Sequence, residues 1–463
     1  MASRSPSKAD KRPPRTHRRN DVAWRTPTSR SILIAAASAV AALVLAACGS
    51  GSAGGGASGK PTGKLTFVTF APFSGPDAAF GASKVAGIIP AIYAIDHGGG
   101  ILGDTKVGWM ESDSRGDPAD AVPIAQKLLL TTPSMVGIIG PTSDESTATV
   151  PIFNAAHIPT FALTGQIAFN RNTYPYFWRI TPPDNDVGLA MAMYAHARGY
   201  TSAAMVFGTD IGATGAVPSL LKAWQHLGGK VVANESLPLD QSSYQSEAAK
   251  VAAAHPQVIF FEADAQTSAT YLSELNQMHG LVPFIGTDGT TVPSWTGPVA
   301  KAVGQATFDK YYVGAQPYAP TSGPSFDAWK AAFNAVRSQE PKPASQWLDS
   351  SFAFAGYDGA IIMALAMDAA KSTNTKVFNA FVPKVTSASP GAVKVYSYAA
   401  GRRALAQGKQ IQYVGATGVI AFDQYHNSPG GFEIINSKFN FITAYTAAQI
   451  GALSVASGAT NVG

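Results

Sequence analysis

Residues 137–165 read GIIGPTSDESTATVPIFNAAHIPTFALTG, and this stretch decides the fold. A short apolar run, Met135 to Ile139, stops at Gly140-Pro141, as a buried strand of a parallel sheet does. The polar turn Thr142-Ser143-Asp144-Glu145-Ser146 follows, and then a helical pattern through Ala148 and Val150 to Ala156. Pro159 precedes a second apolar run, Thr160 to Leu163, and a second polar turn, Thr164 to Gln166. Successive parallel strands set their following turns side by side at one sheet edge, where ligands bind. Free amide N–H groups at the helix start, with Thr and Ser hydroxyls beside them, suit an anionic group such as a carboxylate. Capping of the helix by Thr142 or Ser143 is the plainer role.

Composition bounds what surrounds this unit. The chain has 463 residues, 46% hydrophobic and 14% charged, enough for two or three domains with a large core. The formal charge of +5 misleads: nine of the 34 basic and two of the 29 acidic residues fall in the first 47, leaving 25 basic against 27 acidic. A body so near neutrality gives no electrostatic case for nucleic acid. The single cysteine, Cys48, excludes an internal disulfide and a cysteine-cluster metal site.

The first residues read as an export leader. Arg4 to Arg30 is basic and Pro-rich, and Ser31 to Leu45 is an apolar stretch of signal-peptide size. It ends Leu45-Ala46-Ala47-Cys48 before Gly49-Ser50-Gly51-Ser52, which resembles a bacterial lipobox. Residues 1–47 are then a lipoprotein signal peptide, Cys48 the lipidated residue holding the chain on membrane lipid, and 48–63 a Gly/Ser tether. Arg18-Arg19 raises a twin-arginine export route, without the residues that usually follow the pair.

From Lys64 the chain alternates strand and helix. Expected strands are Leu65–Phe70, Lys106–Glu111 and Met135–Ile139, with helices Phe80–His97 and Ala119–Thr131 between them. Tyr174 to Ile180 is extended and leads into Pro182-Pro183, a lobe boundary. A second series follows: helix Val187–Arg198, strand Ser202–Phe207, Gly-rich turn Gly208–Gly215, strand Lys230–Ser236, helix Tyr244–Ala254, strand Val258–Glu262, helix Thr267–Met278 and strand Pro283–Gly286. Phe308 to Ala315 reads as a crossing strand, Ser325–Gln339 and Ser350–Lys371 as helices, Gly401–Lys409 as a short helix and Thr417–Asp423 as strand and turn. Gly431–Tyr445 holds two strand-like runs, and the tail from Gly451 is expected to fray.

Several motifs, in order, then carry a resemblance. They are Phe73-Ser74-Gly75-Pro76 with Gly81, Asp96 to Gly103, Asp113 to Pro118 with Ala121 and Gln126, Ile139 to Ser143, and Tyr176 to Ile180. Gly286 to Gly289, Gly356 to Gly359 and Gly418 to Asp423 follow. Together they span about residues 64–445, and the chain resembles a type I periplasmic solute-binding protein of the branched-chain amino acid ABC transporter class, in lipoprotein form. The resemblance implies an α/β fold of two Rossmann-like lobes with parallel sheets, joined by a three-crossing hinge near Pro182, Gly314 and Thr417. The first lobe takes 64–182 and 315–416, the second 183–314 and 417–447, and 448–463 is a tail. It also implies a small-molecule solute and an ABC permease as partners, no nucleic acid, no cofactor, no metal and no catalysis, at the extracytoplasmic face of the cell membrane.

Site residues carry over one at a time. Ser143 falls where such amino-acid binders hold the solute's carboxylate, with Thr142 one residue away. Thr164 and Gln166 fall in the second turn, where the expected Thr has become Gln; Phe80 matches the aromatic after the Ser-Gly-Pro turn. Asp288 falls where an acidic residue pairs with the ammonium, or else caps its turn. The two tyrosines expected in the second lobe are absent: Gly208–Gly212 and Ala263–Gln266 stand there instead. Asp210 and Asp264 in these turns either cap the next helices or face the cleft and favour a cationic or hydroxylated solute.

An enzyme is the rival class, but no HExxH, GxSxG or Walker pattern is present. A ligand-sensing surface receptor of the same fold, or a binder of an amide, an aromatic acid or a sugar, remains an alternative.

Overall fold

Residues 65–75 and 78–461 are described by the computed structural model, so the leader, the lipidation site Cys48 and the tether lie outside the described residues. In chain order the strands are β1 (Leu65–Ala71), β2 (Val107–Asp113), β3 (Met135–Ile139), β4 (Thr160–Ala162), β5 (Phe177–Arg179), β6 (Ser202–Gly208), β7 (Lys230–Leu237) and β8 (Val258–Glu262). They continue with β9 (Phe284–Gly286), β10 (Tyr312–Pro317), β11 (Val393–Val395), β12 (Ile411–Gly415), β13 (Gly418–Val419), β14 (Phe432–Asn436) and β15 (Phe441–Tyr445).

The first sheet is wholly parallel, in the order β2-β1-β3-β4-β5. Its inner strands β1 and β3 are apolar on both faces because both faces are covered, while the edge strand β2 is half-buried from Trp109 on. In β1, Leu65 and Phe67 enter one core with helices Ala78–His97 and Ser351–Ala370, whereas Val68 and Phe70 enter another with Ala121, Leu128 and Phe153. The second sheet runs β15-β14-β10-β9-β8-β6-β7. Its strands β6 to β10 pair in parallel, while β14 and β15 add to β10 as an antiparallel hairpin. The edge strand β7 alternates exposed and half-buried residues, as an edge with one wet face does. A small sheet, β11-β12-β13, packs near the first.

The fold is α/β, with two lobes built on these two sheets. The chain passes between their cores three times. It leaves the first after β5, returns after β10 through Phe326 and Trp329, and leaves again after Ile420 to form β14. The passage after β5 is held to the third by backbone pairing. Arg179 N donates to His426 O at 3.0 Å, and Ser428 N donates to Arg179 O at 2.8 Å.

Helix Ser351–Ala370 is the one among the described residues long and apolar enough to cross a membrane. It is buried almost throughout, packed on helix Ala78–His97, and forms the axis of the first core. Asp358 on this helix is fully buried and satisfied: it accepts from Tyr413 Oη at 2.7 Å, Ala416 N at 3.0 Å, Thr417 N at 2.8 Å and Thr417 Oγ1 at 2.7 Å. That set fastens the helix to the segment from which the third passage starts.

Three local expectations are corrected. The Gly-rich turn at 208–215 contains a short helix, Ile211–Thr214, because Asp210 caps it through Ala213 N at 2.7 Å. The stretch after Asp288 folds into helices Pro293–Val303 and Gln305–Tyr311. The crossing strand consequently begins at Tyr312 rather than Phe308, whose ring belongs to the helix and stacks on Tyr312. The tail is a helix, Ala447–Ser457, with a capping box between Thr446 and Gln449, and Ile450 is buried in the second lobe's core.

Candidate functional site

Both sheets end their strands at one cleft of about 720 Å³. The turns after β3, β4, β6, β8 and β9 all reach it, which is the position the strand order assigns to a ligand in an open α/β sheet.

The turn after β3 is fixed by backbone geometry. Gly140 has φ +117°, and a Cβ there would sit 1.9 Å from the Phe70 carbonyl oxygen, so only glycine lets β3 bend beside β1. Thr142 then takes the N-cap position of helix Ser143–Ala155. Its hydroxyl donates to Glu145 Oε2 at 2.9 Å, and Glu145, fully buried, also accepts from Thr142 N and Ser114 Oγ, each at 3.0 Å. The Thr142 hydroxyl is therefore committed to the cap. Ser143, on the first helical turn, keeps its hydroxyl at the cleft, 3.1 Å from Thr164 Oγ1.

Thr164 and Gln166 stand behind Ser143. Gln166 Nε2 donates to the Ser143 carbonyl, and Gln166 N to Thr164 Oγ1 at 3.1 Å. Neither side chain is among those lining the cleft; Leu163 and Gly165 of the same turn are. Gln166 is in turn held by Arg179, whose guanidinium donates to Gln166 O at 2.9 Å, Asn170 Oδ1 at 2.7 Å and Asn427 Oδ1 at 2.8 Å. Burial lowers the pKa of this guanidinium to about 10, opposed by Asp184, Asp186 and Asp423, so it stays charged at neutral pH.

Phe80, Ser143, Thr142, Asp264 and Asp288 all line the cleft, as does Asp210. Asp264 caps helix Ala265–Gln277 by accepting from Gln266 N at 2.8 Å and Thr267 N at 3.0 Å. Capping and facing the cleft are thus compatible: each carboxylate spends Oδ1 on its helix, and the Oδ2 atoms of Asp210 and Asp264 are buried with no hydrogen-bond partner. Asp288 opens a single turn of 3-10 helix, Asp288–Thr290. Burial lifts its pKa to about 6, against the pull of backbone N–H groups in its own turn and of Lys84.

Four cleft residues were not singled out from the sequence. Lys84 lies one helical turn after Phe80 and is 1% exposed. Its ammonium sits 4.4 Å from the Phe352 ring centroid and 6.0 Å from that of Phe80. Burial brings its pKa down to about 7, despite the opposing charges of Asp288 and Glu145. The signal was a lysine interrupting the apolar stripe Val85, Ile88, Ile92. Asp184 opens helix Asp184–Ala197, wedged between Gly165 and Gly215, where a Cβ would lie 1.7 Å and 2.4 Å from its carboxylate oxygens. Glu262 ends β8 against Gly289. Burial, with Asp288 nearby, pushes the pKa of both acids well up. Asp144 accepts from Gly212 N at 3.1 Å, a hydrogen bond across the cleft from one sheet's turn to the other's.

Among the described residues no group of three or more His, Cys, Asp or Glu is placed to hold a metal ion. The arrangement offers instead hydroxyls, helix-start amides, carboxylates, one ammonium and the aromatic faces of Phe80, Phe352 and Trp295 around a cavity of small-molecule size.

The profile of the periplasmic binding protein family matches residues 65–438, and the chain belongs to that family. No curated protein sequence matches it. Among solved structures it is similar to a leucine-binding protein LivK from Thermotoga maritima, at 16% identity and a TM-score of 0.67, covering 82% of this chain and 99% of that one. It is similar also to the branched-chain amino acid transporter substrate-binding protein LivJ from Streptococcus pneumoniae, in complex with isoleucine, at 18% identity and 0.65, with 82% and 99% covered. A third is an ABC transporter solute-binding protein from R. palustris in complex with benzoate, at 18% and 0.63, with 84% and 99% covered. These likenesses establish the type I periplasmic binding protein fold.

Proposed function

We propose that this protein is the extracytoplasmic solute-binding lipoprotein of an ABC importer, and that it takes an amino acid or a related small polar solute between its lobes. The observation that carries the reading is the placement of Ser143 and Asp288 on the walls of one cleft, contributed by the two different sheets. Ser143 and the amides of its helix start receive the solute's carboxylate, and Asp288 receives its ammonium. Thr142 shapes the turn through Glu145, while Thr164 and Gln166 position Ser143 from behind. Phe80 covers the solute's apolar part. Asp264 adds negative charge on the opposite wall.

Closing the lobes on the solute gives the permease a distinct state to recognise. The lobe limits proposed from the sequence, 64–182 with 315–416 and 183–314 with 417–447, put the hinge at the three chain passages. Leader cleavage before Cys48 and lipidation of Cys48 hold the protein at the membrane. The neighbours in complex with isoleucine and benzoate show two solute classes on this fold, so aromatic acids belong in the screen.

A thermal-shift screen of the full-length protein in detergent tests the binding part. Its panel holds amino acids, amides, polyamines, aromatic acids and sugars. A ligand that binds only the folded state raises the melting temperature with concentration. The reading expects a shift with at least one amino acid that is lost in Ser143→Ala. A shift confined to sugars or aromatic acids would replace the solute, and no shift at all would count against solute binding in the cleft. Cys48→Ala is expected to release the protein into the medium or block its processing; unchanged membrane attachment and mobility would refute the lipoprotein assignment.

A further inference from the structure

The charge of the cleft is lopsided. Asp117, Asp144, Asp184, Asp210, Glu262, Asp264 and Asp288 line it, against Lys84 and an Arg115 already paired with Asp120 at 3.6 Å. A neutral branched-chain amino acid needs one carboxylate for its ammonium, and the caps at Asp210 and Asp264 each use one carboxylate oxygen only, so acceptor capacity is left over on the cleft wall.

Four of the acids fall into two pairs. Glu262 and Asp288 meet at Gly289, where a Cβ would lie 2.2 Å from Glu262 Oε1. Asp210 and Asp264 belong to adjacent strand ends: a Cβ on Gly208 would lie 2.6 Å from Asp210 Oδ2 and 3.3 Å from the Ala263 Cα. Asp210 and Asp264 each keep Oδ2 buried with no partner after capping their helices. Buried acceptors of this kind are rare in folded proteins unless something else satisfies them. A second, independent observation concerns the opposite charge. Lys84 is 1% exposed and lines the cleft; among the described residues its ammonium lies over two rings and makes no hydrogen bond or ion pair, with Asp288 and Glu145 acting on it only from longer range. An ammonium so placed calls for an anion from the solute.

We propose that the solute is a basic amino acid or a close relative. Its carboxylate lies at Ser143 and Lys84, its α-ammonium at Asp288 and Glu262, and its second cationic nitrogen at Asp210 and Asp264. This deepens the amino-acid reading above and rests on it. The turns where the family resemblance places tyrosines carry Asp210 and Asp264 here, which exchanges an aromatic wall for a cation-binding one. The stems of such a solute still have Phe80, Phe352 and Trp295 to pack on.

The test is calorimetric titration of the full-length protein in detergent with L-arginine, L-leucine and agmatine, which is arginine without its carboxylate. Arginine is expected to bind at least tenfold more tightly than leucine and at least tenfold more tightly than agmatine. The double variant D210N/D264N keeps both helix caps, since an Asn side-chain oxygen accepts the same N–H groups, and should lose the preference over leucine with its melting curve showing it folded. Lys84→Met keeps the side-chain bulk against Phe352 and should lose the preference over agmatine. Leucine binding as tightly as arginine, with the amino-acid reading intact, would overturn this inference alone. Agmatine matching arginine would overturn the role of Lys84 and with it the proposal. Binding of none of the three, nor of any amino acid, would overturn both this inference and the reading beneath it.

Discussion

Removing the Arg179 guanidinium should loosen the solute site without touching the cleft. Arg179 is fully buried and lies on β5, at the last strand of the first sheet. Its three side-chain hydrogen bonds join Gln166, Asn170 and Asn427, so one group ties the second polar turn to the third chain passage. In Arg179→Met the cost of burying a guanidinium disappears. The three oxygens it served are left in a site with little water, and each unpaired buried acceptor costs about 1–3 kcal/mol. Gln166 O still accepts from Phe169 N at 3.1 Å, so its share is the smallest. The net loss is then roughly 3–5 kcal/mol, the range for breaking one side of a buried charged network. At roughly 2 °C per kcal/mol for a large domain, the apparent Tm should fall by roughly 6–10 °C. Gln166 would lose its anchor and Ser143 its orientation, so solute affinity should fall about tenfold as well. Arg179→Lys, which can reach only one of the three acceptors, should recover a minor part. The assay is thermal unfolding with and without solute, paired with titration. A fall in Tm under about 2 °C with unchanged affinity would refute the relay from Arg179 through Gln166 to Ser143.

Three further outcomes follow from the geometry. Gly140→Ala places a Cβ 1.9 Å from the Phe70 carbonyl at a positive φ, so it should cost about 2–4 kcal/mol and weaken solute binding; denaturant unfolding measures the first. Asp358→Ala strands Tyr413 Oη, Thr417 Oγ1 and two backbone N–H groups, and should cost about 3–5 kcal/mol, with Asp358→Asn costing less. The pKa of Asp288 is raised in the folded state from 3.8 to about 6, so the unfolded chain holds fewer protons there between those values. Its burial therefore penalises the solute-free protein increasingly as pH rises from about 4 through 6, and fully above that. Asp288→Asn should make the solute-free protein more stable at pH 7 than the parent, with the gain gone near pH 4, while affinity for an amine solute drops; melting curves against pH read the first and titration the second.

The fold was legible where burial is two-sided. The runs at β1, β3 and β8 are apolar throughout because both sheet faces are covered, and their limits agree with the sequence reading to within a residue or so. Legibility failed where proline and glycine punctuate real helices. Pro293 stands at the start of its helix and Pro298 inside it, and the stretch 290–307 carries no element in the sequence reading. In the tail, Gly451 and Gly458 suggest fraying, yet the Thr446–Gln449 capping box and the burial of Ile450 outweigh them. At the site, Ser143, Asp288, Phe80 and Asp264 stood in recognisable turns. Lys84, Asp184 and Glu262 did not, because what makes them notable is that three separate elements bring them to the lining of one cleft. No spacing along the chain encodes that. Gln166 and Thr164 illustrate the converse: the sequence placed them at the right turn, and only coordinates distinguish a residue lining the cleft from one holding its neighbour.

The central claim is that a solute bearing a carboxylate and an ammonium binds between the two lobes at Ser143 and Asp288. Its most direct test is calorimetric titration of amino acids into the parent protein and into Ser143→Ala and Asp288→Asn, at pH 7. The account predicts saturable one-site binding in the parent and at least tenfold weaker binding in each variant, with both variants folded by their melting curves. Equal affinity in all three proteins would contradict it.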